Sequence, residues 1–217
     1  MHSATLAGVF DELADRYDHS HHEAIARALI AWVAPGASDA VADVACGAGA
    51  VALQLARCRP DTAPPVLAVD LSPRMVAVGR ARAAELGCGA AVDWRVADAV
   101  PLPVPDRFLD VVFCASSLHF LGRRALADWQ RALRSGGRVG FTLPLAPHFR
   151  PSERFAELCA PDVPLPHGVQ EASAWAAACG FADVDARVLV LGTRRVVMVL
   201  GTVVHGQEGV QQEGVQS

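Results

Sequence analysis

From Val41 to Leu143 the chain alternates short apolar runs with stretches of helical pattern. That alternation constrains the fold more than any other feature. The apolar runs are Val41–Ala45, Val66–Val69, Val92–Val96, Leu109–Ala115 and Arg138–Leu143. Helical segments are predicted between them: Gly49–Arg57, then Ser72 to about Leu86, then Arg123–Leu133. Ser72 suits an N-cap, Pro73 suits the first helical position, and Gly87 closes that helix. Residues 99–107 hold three prolines and read as a loop. The order is β-α-β-α-β-loop-β-α-β. Strands that are apolar on both faces and separated by helices form a parallel sheet covered on both sides. The fold class is therefore α/β, doubly wound.

The flanks are shorter. Leu6, Val9, Phe10, Leu13 and Tyr17 share one helical face, and a second helix is predicted from Ser20 to Trp32, stopped by Pro35-Gly36. Pro144–Pro166 reads as a proline-rich loop with one helix at Glu153–Cys159. Glu171–Cys179 is a predicted helix, and Val184–Leu191 with Arg195–Val204 a predicted hairpin. The tail repeats a polar pentamer, Gln207–Gln211 and Gln212–Gln216, and cannot build a core. One domain over 1–206 is expected: lid helices in 1–39, a core in 40–143, a cap in 144–168, a C-terminal helix and hairpin in 169–206, and a disordered tail in 207–217.

Composition excludes several classes. With 52% hydrophobic and 19% charged residues, the chain is not intrinsically disordered. The net charge of −4 argues against a protein that grips phosphate backbones. All 19 basic residues are arginine, which excludes a lysine Schiff base or a Walker-type lysine. Six scattered cysteines read as buried thiols in a reducing compartment. The first ten residues lack a secretory pattern, and no apolar run reaches a membrane span. The expectation is a soluble, cytoplasmic protein with no membrane partner; monomer and homodimer both stay open.

The glycine turn Cys46-Gly47-Ala48-Gly49 sits at the carboxyl end of the first strand, where parallel sheets bind ligands. Gly47-x-Gly49-x-x-Ala52 followed by Asp70 fits a dinucleotide fingerprint, so an NAD-type oxidoreductase is one reading. The residues around the glycines fit another family better. Val41-Ala42-Asp43-Val44-Ala45-Cys46-Gly47-Ala48-Gly49 resembles the first motif of class I S-adenosylmethionine-dependent methyltransferases, except that Ala45 stands where the family usually has glycine. Leu67–Ser72 resembles the second motif, Ala97-Asp98-Ala99 the adenine-binding motif, Arg107–Val112 the fourth-strand pattern, and Arg134–Val139 the turn into strand five. Phe10–Asp18 resembles the lid helix of small-molecule members, including the quinone-biosynthesis type.

The resemblance implies a Rossmann-like, seven-stranded, mostly parallel sheet whose last strand is antiparallel, with N-terminal lid helices. It implies S-adenosylmethionine as cofactor and S-adenosylhomocysteine as product. Asp70 would accept from the ribose hydroxyls and Asp98 from the adenine amine, with Leu71, Met75, Ala97 and Ala99 nearby. Asp43, Ala45, Cys46, Gly47, Gly49 and Cys114 would border the cofactor, and Tyr17 would cover it. His119, after strand four, would border the methyl site, either as general base or as a packing residue. Phe10, His19, His119, His148 and Phe149 are the candidate substrate contacts. His19, His21 and His22 lack the further ligands of a zinc site, so no metal is expected. No Asn-Pro-Pro-Tyr-type motif follows strand four, which with the acidic charge points to a small-molecule acceptor and not a nucleic acid. Its O, N or C nucleophile is undetermined. A protein of this fold without methyl transfer, a cyclase or accessory subunit, is the alternative.

Overall fold

A computed structural model describes residues 2–14 and 19–205. Tyr17, the side chain of His19 and the repeat tail lie outside the described residues. Two helices, α1 (His2–Leu13) and α2 (His19–Val33), precede β1 (Val41–Val44). Then come α3 (Ala50–Cys58), β2 (Val66–Asp70), α4 (Pro73–Glu85), β3 (Val92–Val96) and β4 (Leu109–Cys114). The second half holds α5 (Leu118–Leu121), α6 (Arg124–Ala132), β5 (Leu133–Pro144), α7 (Glu153–Ala156), α8 (Val169–Ala178), β6 (Ala182–Leu191) and β7 (Arg194–Thr202).

The strands form one sheet in the order β3-β2-β1-β4-β5-β7-β6. Strands β1 to β5 pair in parallel, and β7 runs antiparallel to both β5 and β6. This is the expected doubly wound sheet with an antiparallel last strand. The hairpin places β7 inside, between β5 and β6.

Alternate residues of each strand serve opposite layers, as a pleated strand requires. Val44, Val112, Val139 and Phe141 face the layer of α6 and α8, around Trp129 and Ala176. Val41, Val111, Phe113 and Met198 face α2, α3 and α4, around Leu29, Leu55 and Val76. Gly140 belongs to this second face, where a Cβ would lie 2.5 Å from Val33 Cγ2. Only a bare backbone lets α2 pack that closely.

Three local expectations change. The Gly136-Gly137 turn lies within β5, because its backbone finds strand-like partners: Gly136 N–H donates to Val203 O and Val203 N–H to Gly137 O, both at 2.8 Å. The helix expected over Glu153–Cys159 is one turn, Glu153–Ala156. The residues after β4 wind into the extra turn α5, separated from α6 by Gly122 at φ +85°.

Candidate active site

The carboxyl ends of β1, β2 and β4 meet at the glycine turn. Ala45, Gly47 and Gly49 all take left-handed φ, at +50°, +53° and +77°. Such a φ costs a non-glycine residue about 1 kcal/mol, so the backbone explains why glycine suits the position of Ala45. Gly49 also passes over Trp94 of β3; a Cβ there would lie 2.3 Å from the indole.

Asp70 locks the turn. Its Oδ2 accepts from Gly47 N–H and its Oδ1 from Ser72 N–H, each at 2.8 Å. Burial raises its pKa, and the two N–H donors oppose that rise. Asp43 lies deeper, with Oδ2 accepting from Ala52 N–H at 3.0 Å in the first turn of α3. Burial pushes Asp43 up to about 7, against the Ala52 donor and helped by the nearby Asp70 charge. The two acids therefore play different parts. Asp43 fixes α3, while Asp70 stands at a cavity wall.

That cavity is lined by Ala45, Gly47, Asp70, Leu71, Met75, Asp98, Ala99 and Ser117, and by Leu6 and Phe10 of α1. Asp98 Oδ1 accepts from Val100 N–H at 3.0 Å, which holds the acid in its loop. The Asp11 carboxylate fastens α1 over the cavity. It accepts from the Ser72 hydroxyl and from Arg74 N–H, while Ser72 Oγ caps α4 by accepting from Met75 N–H at 3.0 Å. Phe10 packs edge-on against Phe120, with ring centres 5.7 Å apart. Phe10, expected among the substrate contacts, therefore stands on the side of Asp70 and Asp98.

A second cavity of about 340 Å³ opens on the other side of the β4 terminus. Consecutive serines divide the two. Ser117 lines the first cavity and donates to Ala45 O at 3.2 Å. Ser116, at φ +69°, lines the second, and its N–H donates to Thr142 Oγ1 at 2.8 Å. His119, His148 and Phe149 line this second cavity together with His21, His22, Arg150, Arg194 and Arg195. The His119 ring lies edge-on to Phe149, with ring centres 5.5 Å apart. Burial lowers its pKa to about 4, so the imidazole is neutral near pH 7. Its Nδ1 is buried and has no hydrogen-bond partner among the described residues.

Several expected cofactor contacts line neither cavity. Gly49 N-caps α3. The N–H of Ala97 donates to Asp70 O at 3.0 Å, tying β3 to β2. Cys114 is core beneath the site. Asp43 and Cys46 border a smaller pocket together with His22. Burial raises both the Cys46 and the Cys114 thiol, so neither is a thiolate nucleophile. Sequence reasoning missed Ser116, Thr142, Arg150, Arg194 and Arg195. Thr142 carried a signal, a lone hydroxyl inside an apolar strand. Arg194 and Arg195 carried none, because only the sheet order brings β7 to the end of β5. Among the described residues, no group of three or more His, Cys, Asp or Glu is placed to hold a metal ion, and no helix is long and apolar enough to cross a membrane.

The sheet order and the flanking helices are those of a Rossmann-like methyltransferase fold. Residues 41–137 match the family model described as a methyltransferase domain. A ubiquinone/menaquinone biosynthesis C-methyltransferase of Dinoroseobacter shibae is 34% identical over 143 residues, covering 62% of this chain and 56% of that protein. The chain thus spans little more than half of that relative's length. Among solved structures, a geranyl diphosphate C-methyltransferase from Streptomyces coelicolor superposes with TM-score 0.64 at 19% identity, covering 83% of this chain and 77% of that one. The [4+2]-cyclase SpnF superposes with TM-score 0.65, also at 19% identity, covering 85% and 82%. At such identities the likeness is one of fold.

Proposed function

We propose that the first cavity holds S-adenosylmethionine, that the second holds a small-molecule acceptor, and that the protein methylates an O, N or C nucleophile of that acceptor. The observation that carries this reading is the Asp70 carboxylate, buried at the end of β2 and turned into a cavity shared with Asp98. Two acids suit a ligand with hydroxyl and amine donors. Leu71, Met75 and Ala99 supply apolar walls for a planar base. The turn from Ala45 to Gly47 brings bare backbone close to the amino-acid end.

S-adenosylmethionine supplies a methyl carbon on a cationic sulfur, which keeps the bonding electron pair as the acceptor's pair forms the new bond. The chain supplies position and dryness. Phe10 and Leu6 close the first cavity from above, and proximity accounts for much of the acceleration in such displacements. Ser116 and Ser117 mark where the cavities meet. Neutral His119 accepts a proton where the nucleophile carries one. The acceptor is a small molecule with apolar surface; Phe149, Pro144 and Val196 on the cavity wall support this, as does the net charge of −4.

Calorimetric titration with S-adenosylmethionine, S-adenosylhomocysteine and NADH tests the reading. Micromolar affinity for the first two is expected. Micromolar NADH binding with no response to S-adenosylhomocysteine would falsify it. Release of S-adenosylhomocysteine on turnover separates methyl transfer from cofactor binding alone.

A further inference from the structure

We propose that the acceptor is an organic oxyanion, a small apolar body bearing a carboxylate or phosphoryl group, whose charged end is held by Arg150 and Arg195 at the mouth of the second cavity. This deepens the functional reading above and rests on it.

Charge is the first support. The chain as a whole is acidic, at −4, yet the described residues lining this cavity include three arginines and no Asp or Glu. Elsewhere several arginines pair with acids: Arg82 with Glu23, Arg131 with Asp106 and Asp128, Arg138 with Asp39, Arg187 with Asp185. Arg150 and Arg195 make no ion pair among the described residues. Arg150 is oriented by its own loop, with Nη1 donating to Phe149 O at 2.8 Å and Ala146 O at 3.3 Å. A guanidinium held this way keeps further N–H groups for an oxyanion, which it can grip through two parallel bonds. A cleft lined by one sign of charge also concentrates ligands of the other sign.

Position is the second support. Val196 of β7 pairs with Pro144 at the end of β5. This register sets Arg195 beside the loop that carries Arg150. Phe149, Pro151 and Val196 form apolar wall between the basic mouth and the floor. At the floor, Ser116 Oγ and His119 Nδ1 are buried without hydrogen-bond partners among the described residues. A buried polar atom left unpaired costs about 1–3 kcal/mol, and a ligand atom reaching the floor removes that cost. The cavity is thus basic at the mouth, apolar in the middle and polar at the methyl-transfer end. An organic anion with a distal nucleophile matches that order. The first cavity instead carries two acids, Asp70 and Asp98, and a single arginine, Arg124.

The test uses the full chain saturated with S-adenosylhomocysteine. Its titrants are hydroxyaryl carboxylates of one and two rings, hydroxyaryl phosphates of the same size, and the neutral amides of the same acids. Anions should bind about tenfold or more tightly than the matched amides. Arg195→Gln and Arg150→Gln should each weaken the anion by about tenfold and leave the amide and S-adenosylhomocysteine unaffected. Arg195→Lys should recover part of the loss. The tighter of the two anion series identifies the group. Equal affinity for anions and amides would overturn the proposal. So would unchanged anion affinity in both glutamine variants, or no binding by any anion of the set while S-adenosylhomocysteine binds. Failure of S-adenosylhomocysteine itself to bind would instead remove the cofactor reading beneath it.

Discussion

Asp70 Oδ2 accepts the backbone N–H of Gly47 at 2.8 Å. One carboxylate at the end of β2 thereby holds the glycine turn that follows β1, and through Oδ1 it also holds Ser72 at the start of α4. The group proposed to hold the ribose is therefore also the group that shapes its own pocket. Its substitution should affect ligand binding beyond the loss of one contact.

Asp70→Asn retains size but offers one acceptor oxygen where the acid offers two. Affinity for S-adenosylhomocysteine should fall about ten- to a hundredfold, given about 1.5–3 kcal/mol for a hydrogen bond to a charged group. Calorimetry on a variant with unchanged circular dichroism reads this. Wild-type affinity would place the ribose elsewhere.

Ala45→Gly removes a Cβ from a residue at φ +50°. Relief of about 1 kcal/mol should raise Tm by about 2–4 °C in a domain of this size. S-adenosylhomocysteine should bind at least as tightly as to wild type. A lowered Tm would mean that the methyl contributes packing greater than the strain.

Gly79 of α4 and Gly49 both lie against Trp94, and a Cβ on Gly79 would stand 2.3 Å from the indole. Alanine normally favours a helix by up to about 1 kcal/mol over glycine. Here Gly79→Ala should lower Tm instead, because the overpacked ring must shift at a cost of about 1–3 kcal/mol. In the Trp94→Leu background the same change should cost much less. Equal penalties in both backgrounds would rule out the steric account.

Burial pushes Asp43 up to about 7, above its unfolded value of about 3.9. A raised carboxyl pKa means that the folded state binds more protons than the unfolded state between those values. Its favourable contribution is complete below the unfolded pKa and is lost as pH rises through about 7. Asn at this position keeps an acceptor for Ala52 N–H and carries no charge. The stability of wild type relative to Asp43→Asn should thus fall between pH 5 and pH 8, on the order of 2–3 kcal/mol. Urea denaturation at both pH values measures it. A pH-independent difference would show that Asp43 does not titrate there.

His119, lowered to about 4 by burial, is unprotonated through the neutral range. As proton acceptor it should give kcat/KM that is flat down to about pH 5. His119→Phe should reduce kcat about a hundredfold and leave S-adenosylhomocysteine affinity intact. An acid limb near pH 6.5, or a variant with full kcat, would exclude that role.

The half of the site proposed for the cofactor was legible in the sequence because it is local. Asp43, Gly47, Asp70 and Asp98 each lie in or within a few residues of an apolar strand's carboxyl end, and strand ends converge in any parallel sheet. The half proposed for the acceptor was less so. His119, His148 and Phe149 were readable as residues after strands four and five, but their neighbours Arg194 and Arg195 lie far along the chain, in the last strand. Phe10 sat on a readable helical face whose docking partner the sequence did not specify. Asp11, which fastens that helix to Ser72 and Arg74, carried no signal beyond its motif.

The sequence by itself determined the layered α/β sheet and the placement of three acids at its strand ends, since apolar periodicity and strand-end turns are short-range properties of the chain. Only the tertiary structure decided which face of the β4 terminus each residue serves. The left-handed φ of Ser116, the insertion of β7 beside β5 and the docking of α1 through Asp11 depend on contacts between residues distant in sequence. Those contacts split one apparent site into an acid-lined cavity and an arginine-lined one.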